Sequence, residues 1–210
     1  MRYPFKTAVL PLVSFTVIVF IFQMILGDKF TSAFMLVSSD IFTRPWILLT
    51  SVFLHSGLSH LFFNMYGLLI FGPFLEQRIG AKRFLIIYLL SGITAAFLSS
   101  FFYSRALGAS GAIMGMLGVL IILMPELRLL VFFVLPMPLW AAGIMWALMD
   151  SFGVFYPSGV GNIAHLVGMG CGLLYGLYLK REKVAYNKKF FQKRHLGSGD
   201  IEEYFKTGRI

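Results

Sequence analysis

Charge is what this sequence has least of. Only 13% of its 210 residues are Asp, Glu, Lys or Arg, against about 25% in soluble domains, which excludes an ordinary water-soluble globule. Cysteine is nearly missing too. The single Cys171 excludes an internal disulfide and leaves the redox compartment unread. Acids are few and scattered, and Asp150 is the one acid near an apolar window that is not an end residue. An aspartyl mechanism needs two coupled carboxylates, so that class is disfavoured. The chain also lacks a repeat period, a low-complexity tract and any base-reading motif among its basic residues. Nucleic acid is therefore not an expected partner.

Hydrophobic residues, at 58%, fill the space that charge leaves. No charged residue occurs in 7–27, 45–75, 84–104, 106–125, 129–149 or 151–179. Each window reaches the roughly 20 residues a helix needs to cross a hydrocarbon core about 30 Å thick. The expected fold class is all-α, a polytopic membrane protein of six spanning helices. Their expected ranges are about 8–26, 57–75, 83–103, 110–124, 139–152 and 162–179. An apolar stretch at Trp46–Leu54 is expected at the interface. Pro136 and Pro138 interrupt helix regularity, so Leu129–Leu135 is expected to be extended or interfacial and the fifth helix short. A signal-peptide reading of the first 26 residues has the basic start, Arg2 and Lys6, but no small-x-small site follows. A retained first helix is expected. The organisation is then one membrane domain, 1–180, and a basic cytoplasmic tail, 181–210.

Orientation follows from Lys and Arg placement. With the N-terminus inside, only Lys29, Arg44 and Arg105 of the 18 basic side chains fall outside. Both termini are expected in the cytoplasm, in a bilayer that obeys this rule, such as a prokaryotic plasma membrane. The formal +9 is then an inner-surface charge drawn to anionic lipid.

Four polar residues stand where desolvation is costly: His60, Asn64, Ser110 and His165. Within membrane helices such groups are rare and point to function. His60 lies 16 residues before Glu76, Ser110 16 before Glu126, and His165 15 before Lys180. At about 1.5 Å per residue, all three stand roughly 22–24 Å above the inner boundary, some 6–8 Å beneath the outer one. A shared depth on separate segments suggests a shared site.

Ser110 sits in Gly108-Ala109-Ser110-Gly111-Ala112, at the expected start of the fourth helix. Helix starts offer unpaired N–H groups and a positive dipole end, which suit a developing oxyanion. A serine hydroxyl needs a base to accept its proton, and His165 is placed for that. No acid in the sequence is expected to orient this histidine, so the arrangement reads as a Ser–His dyad. The bland alternative is an N-cap serine in a glycine-rich contact. His165 shares a helix face with Gly168, Gly172 and Gly176, and the fourth helix carries Gly111, Gly115 and Gly118. Small-residue rows allow close approach of membrane helices. The alternative is a packing groove holding one carbonyl-bonded histidine. His60 and Asn64, four apart, could donate to an oxyanion or simply tie helices together. His55 is expected further out, near the surface, as a structural histidine. A metal site on His55 and His60 is disfavoured because no carboxylate or second ligand pair accompanies them. Cys171 and the methionines read as packing, and His195 as a solvated tail residue.

These residues are also where the chain resembles the rhomboid family of intramembrane serine proteases, in its bacterial and archaeal six-helix form. Gly108-Ala109-Ser110-Gly111 resembles the family's Gly-x-Ser-Gly motif. Ala164-His165 with Gly168 and Gly172 resembles its Ala-His-x-x-Gly-x-x-x-Gly helix. His55 through Asn64 resembles its His-x4-His-x3-Asn segment, and Leu75–Gly80 its inner turn. The likeness runs from about Arg44 to Leu179. It implies a six-helix core with a partly embedded outer loop, here about Gly27–Leu54. Ser110 would be nucleophile and His165 general base and acid. The Ser110 backbone, His60 and Asn64 would meet the oxyanion, with Gly108, Gly111, Gly168 and Gly172 as supporting packing. No cofactor and no metal are implied, and the substrates would be single-pass membrane proteins cleaved near the outer face. Where some members carry a tyrosine one turn after the nucleophile, this chain has Met114.

Two other classes remain. A non-catalytic member could bind and escort membrane helices, but need not keep Ser110, His165, His60 and Asn64 together. A small transporter would need broken-helix pairs in matching halves, which the sequence does not offer.

Overall fold

The computed structural model describes residues 7–131, 135–156 and 159–192, the side chains of 131, 135 and 183–192 apart. Arg2, Lys6, His195 and the tail beyond 192 lie outside the described residues. The chain falls into two compact units, Met1–Leu177 and Tyr178–Ile210.

The six expected helices form. They are α1 (Val9–Phe34), α3 (Leu58–Ile79), α4 (Ala81–Ser99), α5 (Ser110–Leu123), α6 (Leu139–Phe155) and α7 (Asn162–Gln192), with a single turn α2 (Ile47–Thr50) between the first two. The helices α1, α3, α4 and α7 through Glu182 are long and apolar enough to cross a bilayer, while α5 and α6 are shorter. With 14 residues α5 is only about 21 Å long, less than the thickness of a hydrocarbon core. Ser110 is its first residue.

Burial explains the layering. Ala112, Met116, Val119 and Leu120 of α5 are fully buried, and α5 packs extensively against α4 and α3. Meanwhile α1 keeps Leu10, Phe15, Ile18 and Ile25 exposed, as lipid-facing apolar side chains should be. Its N-terminal end is tied to α3: the Glu76 carboxylate accepts from Ala8 N at 2.6 Å and from Thr7 Oγ1 at 2.9 Å. An acid thereby satisfies N–H groups that the start of α1 leaves open. The expected end of this helix near residue 26 corresponds to a break at Gly27 (φ 68°), after which helix resumes to Phe34.

The connections carry the departures from helix. Trp46–Leu54 becomes α2 and a 3₁₀ turn, Ser51–Phe53. Strand β1 (Leu36–Val37) pairs antiparallel with β2 (Arg105–Ala106), joining the loop after α1 to the one before Ser110. Strand β3 (Arg128–Val131) pairs with β4 (Leu135–Pro138). The extended reading of Leu129–Leu135 agrees with this pairing at 129–131 and 135, while 132–134 lie outside the described residues; an isolated two-strand ladder tolerates Pro136 and Pro138 on its open edges.

Candidate active site

The loop entering α5 fixes Ser110. Gly108 N donates to Ser51 O at 2.9 Å, and Gly108 takes φ 130°, a conformation that disfavours any side chain. A Cβ there would also stand 2.8 Å from both Nε2 and Cε1 of His60. The N-cap position of α5 belongs to buried Ala109 and has no side-chain cap bond. The serine hydroxyl is therefore not consumed as a cap. The first helical bond runs from Ile113 N to Ala109 O, so the N–H groups of Ser110, Gly111 and Ala112 precede the ladder.

The two glycine rows meet. A Cβ on Gly168 would overlap the carbonyl oxygen of Gly111, and one on Gly172 that of Gly115. Backbone-to-backbone contact of this kind sets α7 against α5 and fixes the height of His165. The start of α7 is held further by Ile163 N, which donates to Tyr103 Oη at 3.2 Å.

Ser110, His165, His60 and Asn64 line one cavity of about 1260 Å³, together with Gly108 and Met114. Ser110 is half-buried, and no direct hydrogen bond joins it to His165 among the described residues. Unliganded sites often hold such pairs apart until substrate tightens them. His60 Nδ1 accepts from Ser56 N at 3.4 Å and lies 3.0 Å from Ser56 Oγ. A backbone N–H can only donate, so the neutral ring carries its proton on Nε2, the atom that faces Gly108. Asn64 is buried and donates one N–H to His60 O at 2.8 Å, leaving the other.

His55 lies in the loop before α3 and is packed inside the protein. It is 2% exposed, because Gln23 of α1 clamps its backbone: His55 N donates to Gln23 Oε1 at 2.9 Å. Its ring meets that of His60 edge-on at 5.0 Å. Burial, and then the neighbouring His60, push its pKa down to about 4, so it stays neutral. This histidine packs behind His60.

The expectation that no acid orients His165 is not met. Asp150 Oδ1 lies 2.9 Å from His165 Nδ1, so an acid is well placed on this histidine after all. The reason is local. Only six residues separate α6 from α7, with Asp150 five residues before Phe155 and His165 three after Asn162. About 1.5 Å per residue sets both within some 8 Å of the same turn. Counting residues back and forward from the loop between the two helices brings the pair together from the sequence alone.

A model of the rhomboid domain family matches residues 43–182, two thirds of the chain. The chain belongs to the rhomboid family. Among its relatives, "Rhomboid protein 1, mitochondrial" of Saccharomyces cerevisiae is 32% identical over 164 residues, 73% of this chain and 47% of that protein. "Rhomboid protease GluP" of Bacillus subtilis is 47% identical over 78 residues, 36% of this chain and 15% of that one. "Inactive RHOMBOID-like protein 8" of Arabidopsis thaliana is 37% identical over 78 residues, 36% of this chain and 22% of its own. The chain thus spans less than half the length of each. As a rhomboid it is an integral membrane protein embedded in the lipid bilayer. At the position one turn beyond the nucleophile motif, the Met114 thioether offers at best a weak hydrogen-bond acceptor to an imidazole.

Proposed function

We propose that this rhomboid is an intramembrane serine endopeptidase that cleaves single-pass membrane proteins in the outer part of their spanning segment. The observation that carries the reading is the shared cavity of Ser110, His165, His60 and Asn64, with open N–H groups at the start of α5. Membership of the rhomboid family, which includes proteins named as proteases, supports protease-type chemistry.

In this mechanism an extended stretch of substrate enters the cavity with water. Ser110 Oγ attacks the scissile carbonyl carbon while His165 takes the hydroxyl proton. The carbonyl oxygen becomes an oxyanion, met by the Ser110 N–H, His60 Nε2–H and the spare Asn64 N–H. Such preorganised donors are each worth about 2.7–4 kcal/mol of transition-state stabilisation. His165 returns the proton to the leaving amine, the C–N bond breaks, and an acyl-Ser110 ester remains. Water, deprotonated by His165, hydrolyses the ester and frees Ser110. No cofactor takes part. Both termini face the cytoplasm in this reading, and the Lys and Arg bias suits a prokaryotic plasma membrane, although mitochondrial relatives also occur.

The test is cleavage of a tagged single-span protein co-reconstituted in lipid vesicles. Ser110→Ala should abolish cleavage while leaving thermal stability unchanged; equal cleavage by the variant refutes the serine mechanism. A second reading is favoured by the missing Ser110–His165 hydrogen bond and by a relative named inactive: a protein that binds and escorts membrane helices. Binding of the panel without cleavage by the unsubstituted protein selects it.

A further inference from the structure

Between Leu127 and Arg181 the chain has one acid, Asp150. It is 6% exposed, on a helix otherwise almost wholly apolar. Its Oδ1 contacts His165 Nδ1 at 2.9 Å, and its Oδ2 is buried without a partner among the described residues. Burying a carboxylate so sparsely partnered is unfavourable, and an apolar residue of similar size would serve packing better. The contact therefore calls for a reason beyond stability.

We propose that Asp150 is the positioning residue for His165, extending the Ser110–His165 dyad to a Ser–His–Asp arrangement. The inference rests on the serine-protease reading given above. An ionised carboxylate only accepts hydrogen bonds, so it holds the proton of neutral His165 on Nδ1. The lone pair then lies on Nε2, the nitrogen left to face the cavity shared with Ser110. When His165 takes the serine proton, the adjacent carboxylate stabilises the imidazolium without itself becoming protonated, the division of labour found in serine-protease triads. Met114 cannot do this work, and no other side chain among the described residues hydrogen-bonds the ring. The pair also crosses between α6 and α7, so anything that displaces α6 releases the histidine.

The experiment uses the full chain in detergent or vesicles, with cleavage kinetics, fluorophosphonate labelling of Ser110, and nitrogen NMR of ¹⁵N-histidine protein. Asp150→Asn should lower kcat on the order of 10²–10⁴-fold with KM unchanged, and slow labelling in parallel. Asp150→Glu, which restores a carboxylate, should recover part of the rate. In the unsubstituted protein His165 should be the Nδ1–H tautomer, and Asp150→Asn should remove that preference. Full activity in Asp150→Asn overturns the proposal. A loss that comes with an unchanged tautomer and no recovery in Asp150→Glu overturns it as well, leaving a purely structural role. Should Asp150→Asn fail to fold, the unsubstituted protein decides: an Nε2–H tautomer at His165 refutes the positioning role. Unimpaired cleavage by Ser110→Ala would sink the serine reading separately, because the tautomer measurement does not depend on it.

Discussion

Gly108 concentrates two demands on one residue. Its φ of 130° suits only glycine, and the space where a Cβ would go is taken by the His60 ring. Substitution by alanine adds about 1–3 kcal/mol of backbone strain and pushes the His60 ring aside, away from the place the proposed mechanism gives it. Gly108→Ala should therefore lower kcat on the order of 10²-fold while leaving the protein folded, as read by cleavage rate alongside a thermal melt. A melt that collapses with full residual rate per folded molecule would place the glycine in the scaffold alone. His60 itself was legible as a polar residue at the right depth. Its tautomer was not, since that follows from Ser56 N, whose approach to Nδ1 is a matter of loop geometry.

Helix α7 works as an element because one of its faces has almost no side chains. Gly168 and Gly172 lie against the Gly111 and Gly115 carbonyls, whereas Gly170, between them in sequence, has nothing within 4 Å of its Cβ position. The contrast makes a matched pair. Gly172→Leu should drive α7 from α5 and destabilise the protein by about 1–3 kcal/mol or more, seen as a lower melting temperature and lost cleavage. Gly170→Leu should leave both nearly unchanged, since it adds a good helix former at an open position. Equal effects from the two would mean that the glycine rows do not form the contact. Both rows could be read from sequence, because small residues at helical spacing repeat on one face. That the two rows face one another could not.

For the whole molecule, the uneven distribution of basic residues makes the clearest expectation. Fifteen of the 18 Lys and Arg belong to one side when the helices alternate. Tags on the two termini should be digested together in inverted vesicles and protected together in right-side-out ones. Opposite accessibility would require an odd number of crossings and undo the assignment of Ser110 to the outer half. Glu76 links the start of α1 to the end of α3, so α1 is fastened to the core at the end away from the cavity.

The sequence alone determined the six apolar helices, the extended interruption at the two prolines, and the choice of the four polar residues that line the cavity. Each of these depends on what a bilayer permits residue by residue: charge at the ends, apolar side chains between, and polar groups only with a purpose. Tertiary structure decided what lies beside what. It packed His55 behind His60, with His55 N donating to Gln23 Oε1 of α1, and it set Asp150 against His165 between α6 and α7. Partnership of this sort depends on helix rotation and loop path, which composition and spacing constrain only weakly and packing fixes.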